Sequence, residues 1–194
     1  MDAALVAILE QRQTAGIPLA MAEAASVAGR HAARVGRFEE ARTHLEEARA
    51  FYAAEGDEVE LLTVDARLVE CLVLQGAGTD GLQLASDALE RADKMPGVSV
   101  IAANLHRLRG WGYIQSGQLL EARGALEESL RLARLEDENL GIKSADYEIA
   151  LTLGALVRLG ELTGQRSDEL EAERDAILDR LGVVKVPEPP LPHY

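Results

Sequence analysis

The sequence predicts an all-α fold, a solenoid of antiparallel helix pairs, on three observations: a helix-forming composition, a recurring apolar stripe, and glycines set between the stripes. Hydrophobic residues are 47% and charged residues 27% of the 194, which suits a chain that buries a core and argues against disorder. Aromatics are only 4%, while Ala, Leu, Glu and Arg are abundant. Straight side chains lose little rotamer freedom in a helix and Ala loses none.

The stripe appears three times. Phe38, Ala41, Leu45 and Ala48 follow spacings of 3, 4 and 3, and so do Leu82, Ala85, Leu89 and Ala92, and Leu119, Ala122, Leu126 and Ser129. At about 3.6 residues per turn these fall on one face. Glu39, Glu46, Glu90, Glu121 and Glu127 then turn outward, and the small Ala residues admit a second helix closely. Upstream, Gly29 and Gly36 correspond to Gly110 and Gly117, and the units are offset by 44 and 37 residues. Gly36 and Gly117 each end a helical pattern at a tight turn, so the unit reads helix, turn, helix.

These residues resemble the tetratricopeptide repeat. Gly110, Tyr113, Gly117 and Ala122 match its signature in order, as do Gly29, Gly36, Phe38, Ala41 and Ala48. The middle unit lacks the central Gly and carries extra residues at its turn, and the first lacks the terminal Pro. The match spans about residues 18–182 and is strongest at 22–54 and 103–135. The resemblance implies a right-handed solenoid.

Helices are expected near 2–14, 18–35, 37–54, 57–75, 80–94, 98–116, 118–135, 143–163 and 167–182, about four pairs after an N-terminal helix. Pro18 suits a first helical turn, where its missing N–H is not needed. Ser167 before Asp168 and Glu169 supplies an N-cap hydroxyl and acids at the positive helix end. Met95-Pro96-Gly97 breaks two units apart, and no strand alternation runs beyond a few residues. Val183 to Tyr194 holds four prolines and cannot continue a helix. The expected organisation is one helical-repeat domain over 1–182 and a proline-rich tail over 183–194.

The net charge of −13 and pI near 4.8 repel phosphate backbones at long range, which argues against direct nucleic-acid binding. No apolar run approaches the ~20 residues that span a bilayer. The start lacks a basic n-region, so no signal peptide is expected. Cys71 alone cannot form an internal disulfide, and a cytoplasmic, non-membrane protein is the expectation.

No enzyme active site is expected, and no cofactor or metal. His31, His44, His106 and His193 show no metal spacing. Cys71 reads as a small core residue, and Glu39-Glu40, Glu46-Glu47 and Glu127-Glu128 as a solvated face. Gly76, Gly78 and Gly81 match G-x-G-x-x-G, yet 58–75 is too long for a strand and carries charges at helical spacing. A lengthened repeat turn is favoured there over a nucleotide or small-molecule site.

In proteins of the tetratricopeptide type the first helix of each pair lines a groove. Carried onto this chain, those positions are Asn104, Arg107, Trp111 and Ile114 in the third unit, and Glu23, Ser26, Arg30 and Ala33 in the first. The candidate peptide-binding groove is therefore Arg30, Asn104, Arg107, Trp111 and Ile114, extended by Arg158. Arginine forks suit carboxylates, so the implied partner is a protein or peptide with an acidic or C-terminal segment. The competing reading has Trp111 filling a gap between helices and the arginines balancing nearby glutamates.

The stretch 171–192, with Ala145 to Leu153 before it, resembles the ending of large bacterial ATPase and nucleotide-cyclase or LuxR-type regulators. That resemblance implies the sensor or interaction region of a signalling protein, whose partners include other domains of its own chain. Self-association, capping an open end such as the apolar Ala3 to Leu9, is a third reading.

Overall fold

The computed structural model describes residues 3–140 and 145–191, with side chains from 16 to 136 and from 145 to 191. Eight helices account for most of them: α1 (Ala3–Arg34), α2 (Phe38–Glu55), α3 (Glu58–Gln75), α4 (Gly78–Ala92), α5 (Ser99–Gln115), α6 (Leu119–Leu140), α7 (Asp146–Thr163) and α8 (Asp168–Leu181). No strand occurs among the described residues, and no helix there is long and apolar enough to cross a membrane. Gly36 and Gly117 adopt φ of 80° and 76°, the left-handed turn conformation that favours glycine.

Most boundaries fall within two residues of expectation, and the differences that bear on the fold are these. The first two expected helices are one, because α1 runs through Pro18 without a break. A single proline removes one N–H, and the helix-forming residues on both sides carry the helix past it. α4 begins at Gly78, not at 80, because its first amide is held from outside: Gly78 N–H donates to Gln115 Oε1 at 2.8 Å. α6 extends to Leu140 rather than 135. The expected start of the next helix at 143 lies outside the described residues, as do the side chains of the apolar stretch from Ala3 to Leu9.

Each helix packs on the next. The odd-numbered helices also pack on one another in order, α1 on α3, α3 on α5 and α5 on α7. Among the described residues the even-numbered helices do not pack on one another in this way, although Arg134 of α6 reaches Glu173 of α8 at 2.7 Å. The odd helices thus form one continuous layer, and each even helix packs on its chain neighbours beside it.

The recurring stripe explains how each pair closes. Leu45 and Leu126 are wholly buried, and each leans on a glycine of the preceding helix. A Cβ on Gly29 would stand 2.6 Å from Leu45 Cγ, and one on Gly110 would stand 2.6 Å from Leu126 Cδ2. Real carbons do not approach so closely, so the absence of a side chain at these two positions sets the spacing of α1·α2 and α5·α6.

Two apolar clusters share α3. Leu61, Val64, Leu68 and Cys71 face a core with α1 and α2, while Leu62, Ala66, Val69 and Val73 face the larger one built with α4 to α8. Two stripes, each repeating every three or four residues, make α3 apolar on opposite sides. Its Asp65, fully buried, is held between layers by Arg49 of α2 at 2.6 Å and by Arg91 of α4. Asp146 of α7 likewise receives Arg180 of α8 at 2.5 Å.

Gly110→Ala should destabilise the chain by about 1–3 kcal/mol through overpacking against Leu126. Gly124→Ala, in α6 with nothing within 4 Å of the added carbon, should stabilise it by up to about 1 kcal/mol. Urea denaturation followed by circular dichroism checks both signs.

Candidate functional site

Where the odd helices meet, they share a strip of paired charges. Glu70 of α3 accepts from Arg30 Nε and Arg34 Nη2 of α1, each at 3.0 Å. Burial alone would raise the Glu70 pKa, but Arg30 and Arg34 overcome it and hold the carboxyl below its usual value. One step along, Glu148 of α7 accepts from Arg107 Nε of α5 at 2.5 Å and from Asn104 Nδ2 at 3.2 Å. Arg107 and Glu148 are only 5% and 6% exposed, so each charge depends on the other. Burial works against the Arg107 cation, yet Glu148 raises its pKa.

Between these pairs lies an open cleft of about 130 Å³ formed by α1, α3 and α5. Arg30, Thr63, Arg67, Glu70 and Asn104 give it polar walls, and Ala66, Val100 and Ile101 give apolar ones. Arg67 differs from its neighbours. It donates to the hydroxyl of buried Ser26, and among the described residues no carboxylate forms a salt bridge with it. Burial, then the nearby Arg30, lowers its pKa. Glu60 and Glu70 offset part of its charge from a distance, but neither makes a salt bridge with it.

The same face continues to a smaller cavity of about 20 Å³. It is lined by Arg34, Glu70, Val73, Leu74, Arg107, Leu108 and Leu151, and closed by Pro187 and Pro189. Glu70 borders both spaces.

The sequence candidates divide accordingly. Arg30 and Asn104 line the open cleft. Arg107 borders the smaller cavity but is committed to Glu148. Trp111 and Ile114, 6% and 0% exposed, lie inside the larger core and not on an open groove wall. Arg158 is exposed, bonds Glu161 at 2.5 Å on its own helix, and lines neither space. Of the first-unit positions, Ser26 supports Arg67, Ala33 is buried, and Glu23 is exposed. Arg67 and Glu70 were missed, although a shift of 37 residues from the third unit carries Asn104 and Arg107 onto them. The missing glycine of the middle unit hid that register.

The glycine-rich motif forms no loop that could cradle a phosphate. Gly76 caps α3, and Gly78 and Gly81 lie within α4. A Cβ on Gly78 would stand 2.9 Å from Gly112 Cα, so α5 covers that helix start. Cys71 is buried, and burial raises its thiol pKa. His31 is exposed, and His44 and His106 are half-buried, while His193 lies outside the described residues. Burial, then Arg109, lowers the His106 pKa to about 4. Among the described residues no three His, Cys, Asp or Glu side chains are grouped to hold a metal ion. No family model matches the chain, and comparison with curated proteins and with solved structures gives no match.

Replacing Arg107 by Met should cost about 3–5 kcal/mol, because Glu148 is left charged and buried. The double replacement with Glu148→Met should cost less than that single one, as a double-mutant cycle in urea would read. His106 is neutral in the folded chain above pH of about 4, whereas the unfolded chain protonates near 6.5. Stability should therefore fall as pH drops from 6.5 towards 4, and melting of His106→Gln over that range should be flatter.

Proposed function

We propose that this chain is a non-catalytic scaffold that holds a protein or peptide segment bearing a carboxylate. The observation that carries this reading is Arg67, a half-buried cation that makes no salt bridge among the described residues, in a cleft that also offers the Asn104 amide and the apolar Val100 and Ile101. Sites that engulf a whole small molecule are commonly about 300–1,000 Å³. At about 130 Å³ this cleft suits one or two side chains of a longer ligand. An acidic residue beside an aliphatic one would give Arg67 a charge-assisted partner and cover Ile101.

In the same reading the helices are tetratricopeptide-like pairs wound into a right-handed solenoid, with α1, α3, α5 and α7 on the concave side. The equivalent approaches of Gly29 to Leu45 and Gly110 to Leu126 support that pairing, as does the contact order of the odd helices. A place as the sensor or interaction region of a bacterial signalling regulator goes with this proposal. It rests only on the resemblance of residues 171–192 and of Ala145 to Leu153 before them. A nucleotide reading of Gly76 to Gly81 gains no support from an amide already bonded to Gln115.

Titration with the capped peptide Leu-Asp-Val-Asp-Leu tests the cleft. It should bind more tightly than its Asn-substituted counterpart, and Arg67→Ala should weaken it about tenfold, the loss of one charged hydrogen bond. Equal affinities for the native chain and the Arg67→Ala variant would sink the proposal.

A further inference from the structure

Beyond Gly182 the chain leaves α8 and turns back across the odd helices. The Pro190 carbonyl accepts a hydrogen bond from Gln115 Nε2 at 2.8 Å. The Pro190 ring lies over Gly76, where an added Cβ would meet its Cγ at 3.2 Å. Leu191 packs on the larger core, and Pro187 and Pro189 close the smaller cavity against Arg34, Glu70 and Arg107. Burial alternates along this stretch: Pro187, Pro189 and Leu191 are half-buried, while Glu188 and Pro190 are exposed. Alternation of period 2 marks an extended segment with one edge against a surface. Proline stiffens such a segment in advance, so docking orders fewer degrees of freedom.

The segment and the open cleft are neighbours. Glu70 borders the cavity beneath Pro187 and Pro189 on one side and the cleft of Arg67 on the other. Any extended ligand longer than the cleft meets the docked prolines.

We propose that the odd-helix face is a receptor for extended proline-rich segments, and that residues 183–191 occupy it in cis, confining other ligands to the open cleft. This deepens, and rests on, the reading of that face as a peptide-binding surface. The Gln115 amide supplies the recognition of a backbone carbonyl, and the ridge of Pro187, Pro189 and Leu191 supplies the apolar contact. A partner carrying alternate prolines and aliphatic residues would compete for the same ground.

Two measurements on the full chain test this. Gln115 also bonds Gly78 and Val73, so its replacement would disturb the α3–α4 turn; the variant is instead Pro189→Gly with Leu191→Asp. Exposed Lys185 lies within the segment, and trypsin cleavage after it reports the undocked fraction. If about nine chains in ten are docked, cleavage should be about tenfold faster in the variant, with helical content unchanged. A fluorescein-labelled synthetic peptide of residues 183–191 should bind the variant about tenfold more tightly than the native chain, whose face is self-occupied. Equal cleavage rates would overturn occupancy in cis. Peptide binding absent from both proteins would overturn the receptor, and equal binding to both would overturn occupancy in cis. Failure of the acidic peptide of the preceding section would sink the Arg67 cleft and leave both of these outcomes readable.

Discussion

The arrangement depends first on how closely two helices can approach. Gly29 and Gly110 present bare backbone to Leu45 and Leu126, and this draws α2 onto α1 and α6 onto α5 with no room for a methyl group. With the pairs this tight, the odd helices are pressed side by side. The middle pair reaches a related end by another route. Its first helix lacks the central glycine and carries buried Val73, and the close contact moves to Gly78 and Gly112, between α4 and α5.

Pressing the odd helices together has an electrostatic consequence. Charged side chains on their shared surface lose water and must find one another, as Arg30 and Arg34 find Glu70 and Arg107 finds Glu148. Such pairs gain little over well-packed apolar residues, since desolvation offsets most of the attraction. A helix slipped by one turn would leave Glu148 or Arg107 buried without its partner. Arg67 stands apart because it bonds a serine hydroxyl, while Glu60 and Glu70 act on it only from a distance. A cation left one partner short is where an outside carboxylate would gain most.

The helices were legible because their signals are local. Leu45 and Leu126 recur with Ala residues at fixed spacing, and glycine 16 residues before each leucine marks the close approach. The placing of Asn104 and Arg107 on a shared face came from the resemblance to the tetratricopeptide repeat, not from the stripe itself. What could not be read was which residues of that face stay open. Trp111 and Ile114 follow the same spacing as Arg107, yet the larger core encloses them, and enclosure depends on neighbouring helices that local spacing does not encode. Pro18 misled because a proline signals a helix start more often than it is tolerated within one. The seat of residues 183–191 left no trace at all, since a hydrogen bond from Gln115 to a backbone carbonyl requires no particular side chain at position 190.

That hydrogen bond spans 75 residues, whereas the other side-chain hydrogen bonds among described residues span 44 or fewer. Every helix meets only its first and second neighbours along the chain, so the array can assemble by short loop closures, one element after another, as a polypeptide emerges. The segment over α3 and α5 is the exception. It can settle only after α5, α6, α7 and α8 are in place, and it closes the longest loop of all. Last to arrive, it is joined to that face through Gln115, Gly76 and the larger core, and its departure would leave each helix pair's own contacts intact.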